Sequence, residues 1–316
     1  MSESASAARR VKAKALELGF DQVGIASARP LDEEGDRLRE WLSRGYQAGM
    51  AWMERDPDRR IDPGRVLPGV RSVIAVAQNY YTPASHLQDR EHGKISRYAW
   101  GDDYHDIVGE RLHTLMDWLT TEFPDSRSKL YVDTGPVMDK VWAQHAGIGW
   151  EGKHTNVISR DFGSWIFLGE LLTTLELDPD EPALDRCGSC TRCIDACPTQ
   201  AIVEPYVVDS NLCISYLTIE HRGEIGADLA AAFDGWVYGC DICQDVCPWN
   251  RKFAEETAVR GFAPREGNAA PLLTEWETMT DDAFRSRFRG SPVKRAKREG
   301  LLRNIRLLLG RRDPTV

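Results

Sequence analysis

The residues of this sequence most able to do chemistry are its eight cysteines, all of which fall between Cys187 and Cys247 of a 316-residue chain. The first run, CGSCTRCIDACPTQAI, carries Cys187, Cys190, Cys193 and Cys197, followed by Pro198. The second, CDICQDVCP, carries Cys240, Cys243 and Cys247, followed by Pro248, and Cys213 stands alone between the two. Such crowding argues for a local metal site rather than a disulfide framework. Short spacings of this kind fold the backbone around an iron–sulfur cubane, and the fourth cysteine of such a run ligates the other cluster. That rule assigns Cys187, Cys190, Cys193 and Cys247 to one [4Fe–4S] cluster and Cys197, Cys213, Cys240 and Cys243 to a second. No cysteine is left over. Tetrahedral zinc also uses cysteines two residues apart. The tight triple, the added Cys-Pro and the interleaved closure favour iron–sulfur and electron transfer.

The elements that must position these sulfurs begin well upstream. AARRVKAKALELGF places Val11, Ala15 and Leu18 at helical spacing, and DQVGIAS reads as a strand. DEEGDRLREWLSRGY is a second helix with Leu38, Trp41 and Leu42 on one face. Val73 to Ala77 form a continuous apolar strand suited to a buried position. Ile107, Val108, Leu112, Leu115 and Leu119 mark a long helix. KLYVDTGP predicts a strand ending at Asp133, and VMDKVWAQHAGIGW a helix stopped by glycine. NVIS and SWIFLGELLTT read as a closing pair of strands. The fold expected is an α/β (α+β) domain over 1–176, a linker over 177–186, a two-cluster ferredoxin-like domain over 187–250 and a C-terminal helical basic segment over 251–316. The last of these is irregular up to a basic helix near 292–309. No GxGxxG follows the first strand, so a nucleotide fingerprint is missing.

Charge is unevenly spread. Between Arg285 and Arg312 there are eleven Lys/Arg and one acid, Glu299, which leaves 29 bases and 48 acids for the rest of the chain. A basic segment on an acidic body suggests an anionic partner, although a solvated amphipathic helix has the same composition. The N-terminal stretch has no apolar run of signal-peptide length, and no 18-residue apolar stretch occurs. A cytoplasmic location, where thiols stay reduced, is expected.

Several stretches together resemble the epoxyqueuosine reductase family, cobalamin-dependent iron–sulfur oxidoreductases of tRNA queuosine biosynthesis. They are SRYAWGDDYHD (96–106), VDTGPVMDK (132–140), AGIGWEGKHTNVIS (146–159), the two cysteine runs, and GSPVKRAKREGLLRNIRLLLG (290–310). The resemblance spans about residues 10–310. VDTGP and GWEGKHTN, in this order before the cysteines, are its most specific parts. It implies the last step of queuosine formation, in which the epoxide oxygen of epoxyqueuosine in a tRNA anticodon is removed with two electrons and two protons. Two [4Fe–4S] clusters would deliver the electrons to cobalamin bound base-off, and the cofactor would carry the hard chemistry.

The same resemblance points to Asp133 as the proton donor and a cofactor contact, at the end of a strand where such sheets place ligands. Capping of the following helix is the structural alternative for Asp133. Tyr104 would donate a second hydrogen bond in the pocket, or pack as an aromatic at a helix start. Lys153, His154 and Asn156 offer donors for corrin amides or substrate phosphate, with a satisfied structural histidine as the alternative for His154. Arg60, Arg97, Ser215, Arg222 and Asp241 are further candidates for cobalamin contacts. Lys294, Arg295, Lys297, Arg298 and Arg303 would neutralise tRNA phosphates, while Leu301, Leu302, Ile305 and Leu308 anchor that helix to the body. The modified base must leave the anticodon stack. Some family members continue into helical repeats past the last motif, so the tRNA is expected to be held differently at that end. A monomer served by an unidentified electron donor is expected. A reductive dehalogenase would share the cofactors, but it commonly carries an export signal and has no use for a basic helix. A bare electron carrier would leave the 186 residues before the first cysteine unused.

Overall fold

The computed structural model describes residues 3–310. Arg311 and Arg312, counted in the basic segment, lie outside the described residues. Helix α1 (Glu3–Glu17) leads to strand β1 (Gln22–Ser27), followed by α2 (Asp32–Ser43) and the short α3 (Pro57–Ile61). Strand β2 (Ser72–Asn79) is buried at every position, as its apolar run requires. Strand β3 (Lys94–Ile95), helix α4 (Tyr104–Glu122), strand β4 (Ser128–Tyr131) and helix α5 (Asp139–His145) come next. Strands β5 (Trp150–Glu151), β6 (Val157–Ile158) and β7 (Ile166–Thr173) complete the first half.

The main sheet has the order β1-β2-β7-β4 and is antiparallel throughout. Helices α1 and α4 cover one face through Val11, Ala15, Val108, Leu112, Leu115 and Leu119. Helix α5 covers the other through Trp142, Ala143 and Ala146. Its approach is close: a Cβ on Gly24 of β1 would stand 1.9 Å from the Ala146 carbonyl oxygen. Only glycine permits that contact.

Two strand expectations are corrected. NVIS does not pair with SWIFLGELLTT; Val157–Ile158 pairs with Trp150–Glu151 in a separate hairpin, while β7 inserts between β2 and β4. Strand β4 ends at Tyr131, not Asp133. Asp133 has φ +55°, a left-handed conformation that cannot continue an extended strand. Helix α5 starts at Asp139 with Met138 at its cap position, so Asp133 does not cap it.

Contacts cross each of the expected domain boundaries. Leu177 is buried, with its N–H on Ser72 Oγ at 3.0 Å, and Asp180 exchanges two 2.8 Å bonds with the Ile25 backbone. Strand β3 pairs in parallel with Trp236–Tyr238 of the cysteine region. Ile95 and Trp100 then share a core with Leu301, Leu302 and Ile305 of the C-terminal helix Lys297–Leu309. Two short helices, Leu273–Glu277 and Asp281–Arg287, fill the stretch expected to be irregular. Among the described residues no helix is long and apolar enough to cross a membrane.

Candidate active site

A cavity of about 720 Å³ lies between the edge of the sheet and the cysteine region. Its volume is in the range of small-molecule and cofactor sites. Asp133, Tyr104 and His154 line one side, and Cys197, Cys213, Cys240 and Cys243 line another. All four sulfurs of the second expected set therefore reach the cavity, and none of the first set does. Val137, Met138, Ile166, Leu168 and Ile214 make much of the remaining wall apolar.

Asp133 projects from the turn after β4. Tyr104 Oη donates to its Oδ2 at 2.6 Å, and His105 Nε2 stands 4.0 Å from the same oxygen. The Tyr104 ring is clamped between Phe167 at 4.3 Å and His105 at 4.1 Å. His105 Nδ1 is bonded to Asp103 Oδ1 at 2.7 Å, and Lys294 pairs with the other oxygen of Asp103 at 3.3 Å. The Asp133 side chain is 68 % exposed, but that exposure opens into the cavity. Removal from bulk water raises its pKa above the usual carboxylate value, against the Tyr104 hydrogen bond and His105, which work downward; Asp139 adds to the rise.

Among the described residues two donors on the cavity wall have no partner. His154 is 4 % exposed, its Nδ1 accepts the Asn156 N–H at 3.2 Å, and its Nε2 is buried and unbonded. Burial holds its pKa down at about 4, so the ring is neutral and carries its proton on Nε2. Arg60 donates to the Gly135 carbonyl at 3.3 Å, faces the Trp52 ring at 5.5 Å and leaves Nε buried and unbonded.

The thiols fall into two electrostatic groups. Cys193 feels Cys187 and Cys247, and Cys247 feels Cys190. Cys213 feels Cys197, and Cys240 feels Cys243 and Cys213. Cys243 feels Cys213 and Cys197 but also Cys193, so the two groups adjoin. Burial pushes the thiols of Cys187, Cys193, Cys213, Cys240, Cys243 and Cys247 up, Cys193 to about 11. They become thiolates only against a strong positive charge such as iron. Near the first group Trp150 is buried, packed in one cluster with Cys187 and Cys247, and its side chain acts on the Cys187 thiol. Among the described residues no three His, Cys, Asp or Glu side chains close around a single ion.

Arg60, Tyr104, Asp133, His154, Asn156 and Ser215 are thus brought together at the cavity. Four other expected cofactor contacts are not, and each is committed elsewhere. Arg97 is stacked among Trp100, Tyr81 and Trp165 and donates to the Thr82 and Ala84 carbonyls. Asp241 is fully buried, accepting from Ser96 Oγ and from the Arg97 N–H at 2.8 Å. Lys153 holds the first cysteine loop through the carbonyls of Gly188 at 2.6 Å and Cys190 at 3.0 Å. Arg222 donates to the carbonyls of Ile219, Ala296 and Arg295. Sequence reasoning missed His105, Asp139 and Trp52 at this site. His105 and Asp139 lie within stretches carrying the family resemblance, whereas Trp52 gave no local signal.

The basic segment borders the same site, through Lys294 on Asp103 and through Arg295, which feels the charge of Asp133. Lys294, Arg295 and Lys297 are exposed. Arg295 is paired with Glu220 at 2.7 and 3.0 Å, and Arg298 with the Met279 carbonyl at 2.7 Å. Arg303 is spent on the carbonyls of His221, Gly223 and Leu217, which corrects its reading as a phosphate contact.

The family model described as Epoxyqueuosine reductase QueG, DUF1730, matches residues 60–134, and the 4Fe-4S double cluster binding domain matches residues 186–250. The epoxyqueuosine reductase of Synechocystis sp. is 52 % identical over 285 residues, covering 89 % of this chain and 98 % of the relative. A crystal structure of epoxyqueuosine reductase with an epoxyqueuosine-modified tRNA-Tyr stem loop superposes with TM-score 0.90 at 32 % identity, covering 96 % of this chain and 81 % of that one. The Bacillus subtilis enzyme, solved with its catalytic aspartate loop swung out of the active site, gives TM-score 0.90 at 31 % identity over the same shares. With its antiparallel sheet, a double-cluster cysteine domain and one cavity joining Asp133 to Cys197, Cys213, Cys240 and Cys243, this chain belongs to the epoxyqueuosine reductase family.

Proposed function

We infer that this protein reduces epoxyqueuosine to queuosine in the anticodon of tRNA, removing the epoxide oxygen as water with two electrons and two protons. The observation that carries this reading is the single cavity that joins the Tyr104–Asp133 pair to all four cysteines of the second set. A proton source and an electron outlet therefore face one bound molecule.

The donor set fits the cofactors this family implies. Cys187, Cys190, Cys193 and Cys247 would hold one [4Fe–4S] cluster, and Cys197, Cys213, Cys240 and Cys243 the other. The unbonded donors of His154 and Arg60, with Asn156 and Ser215, suit the amide-rich rim of base-off cobalamin in the same cavity. When bound there, cobalamin supplies a strongly reducing, nucleophilic cobalt. Cys187 and Cys190 are partly exposed, so a separate electron donor would engage the first set.

The chain's own groups manage the protons. Tyr104 fixes one oxygen of Asp133, leaving the other to face the substrate. A filled cavity excludes the water that now reaches Asp133, which raises its pKa further and favours the acid form that a proton donor needs. The left-handed turn at Asp133 stores strain that a loop movement would release, in keeping with the catalytic aspartate loop swung out of the active site in the Bacillus subtilis enzyme. Lys294, Arg295, Lys297 and Arg298 lie where tRNA phosphates would approach the cavity. The reading places the enzyme in the cytoplasm, as a monomer.

The test is anaerobic reconstitution with iron, sulfide and cobalamin, then turnover of epoxyqueuosine-containing tRNA under a strong reductant. Queuosine formed only with cobalamin, and lost in Asp133→Asn with clusters and cobalamin retained, supports the reading. Bound cofactors without turnover would overturn the substrate.

A further inference from the structure

Strand β7 carries an acid where the fold calls for an apolar side chain. Glu170 is 0 % exposed, on the sheet face covered by α5. Leu168 and Leu172 flank it along the strand, and Ala75 and Tyr131 sit opposite it on β2 and β4. Both of its carboxyl oxygens are buried without a hydrogen-bond partner among the described residues. Asp139, the first residue of α5, also has a buried oxygen, Oδ1, without a partner.

An ionised carboxylate with no donor and no cation at full burial is far costlier than its neutral acid. The charges acting on Glu170 are those of Asp139 and Asp133, both negative. The nearby cations are engaged elsewhere or act on other acids. Lys129 of β4 donates to the Val66 carbonyl at 2.7 Å, and His145, at the far end of α5, pairs with Glu34 at 3.1 Å. Lys140 acts on Asp133, and Arg60 on Asp139. One proton on Glu170 solves both orphaned groups at once: it removes the buried charge and turns two facing acceptors into a donor and an acceptor.

We propose that Glu170 is a positioning residue for the proton donor: its buried carboxylic acid hydrogen-bonds the carboxylate of Asp139, and the negative charge so fixed beside Asp133 keeps the proton on Asp133. Burial and the charge of Asp139 push the pKa of Glu170 well above the carboxylate range, in accord with this arrangement. Glu170 does not line the cavity, whereas Asp139 and Asp133 do. The inference rests on the reading of Asp133 as the proton donor.

Two measurements test it. Infrared difference spectra of the full-length protein should show a protonated carboxyl at neutral pH that Glu170→Gln removes; an unchanged carboxyl region overturns the proposal. On the reconstituted enzyme with epoxyqueuosine tRNA, the alkaline limb of the pH–rate profile should move down by about one unit in Asp139→Asn and Glu170→Met, roughly tenfold slower above the limb. Glu170→Gln, whose amide still donates to Asp139, should stay within about twofold of the parent. A limb unmoved in both Asp139→Asn and Glu170→Met, beside an inactive Asp133→Asn, overturns this inference alone. A fully active Asp133→Asn removes the donor and the inference with it.

Discussion

Replacing Tyr104 by Phe deletes one hydroxyl and leaves the ring stacked on Phe167. That hydroxyl gives Asp133 Oδ2 a 2.6 Å hydrogen bond, which favours the ionised carboxylate over the acid. A hydrogen bond to a charged group is worth about 1.5–3 kcal/mol. The Asp133 side chain still meets water in the cavity, so screening favours the lower end, about 1.5 kcal/mol or roughly one pH unit. The folded-state pKa of Asp133, already raised by burial, should therefore rise by about one further unit. The acid must be protonated to act, so activity falls as pH climbs through this pKa, and Tyr104→Phe should move the alkaline limb upward. Single-turnover rates on epoxyqueuosine tRNA across the pH range, with the reconstituted enzyme, measure that limb. The direction is opposite to that expected for Asp139→Asn, so the pair of variants is more telling than either alone. A limb unmoved or shifted downward in Tyr104→Phe would refute the assignment of the limb to Asp133.

Cys247→Ala should damage the cluster held by Cys187, Cys190 and Cys193 although Cys247 belongs to the second run; Mössbauer spectra showing damage only to the other cluster would overturn the interleaved sets. Lys294→Ala with Lys297→Ala should lower the log–log salt slope of tRNA binding by roughly 1–2, and an unchanged slope puts the tRNA elsewhere. Arg303→Ala should instead cost stability, about 2–4 kcal/mol for three lost carbonyl contacts, with the salt slope kept; calorimetry and binding together separate the two outcomes. Glu170→Gln should match the parent's melting temperature at acid pH and exceed it as pH rises. A buried acid with a raised pKa gives stability that is complete below its unfolded value and lost as pH climbs through its folded one, and the amide has no such loss. Parallel melting curves at all pH values would contradict a protonated Glu170.

Local pattern carried much of the first half of the fold. Helices α1, α2 and α4 follow from apolar residues recurring at helical spacing, and strand β2 from a continuous apolar run that is buried at every position. Pairing did not follow, since β7 chooses β2 and β4 over the nearer hairpin and β3 finds Trp236–Tyr238 across about 140 residues. The cysteine sets were legible because ligand spacing is a short-range constraint. Asp133 and Tyr104 came from resemblance, and nothing local marks their 2.6 Å contact. The charge count also misled in part. It registered Arg303 as a cation available for phosphate, whereas the side chain is bonded to three backbone carbonyls. Glu170 was visible as a lone acid within SWIFLGELLTT, but only burial on both sides of the sheet makes it anomalous.

The cavity's two chemical walls come from different parts of the chain, and this has a consequence for how they are kept in register. Acids on α5 and the turn after β4 lie to one side, and cysteines from 197 to 243 lie to the other. Between them the protein places buried polar locks rather than a purely apolar contact. Gln244, one residue after Cys243, donates to the Ser164 carbonyl and hydroxyl at 3.0 Å, and Asn250 accepts the Ser164 N–H at 2.5 Å. Asp241, one residue after Cys240, takes the Ser96 hydroxyl and the Arg97 N–H. Apolar packing tolerates sliding, whereas a buried hydrogen bond that is displaced leaves both partners unsatisfied. The cysteine loops are thus tied to the strand and turn that frame Asp133 and Tyr104. That is the arrangement needed when electrons and protons must meet at one carbon–oxygen bond, and it gives the Asp241 bonds to Ser96 and Arg97 a part in joining the two walls.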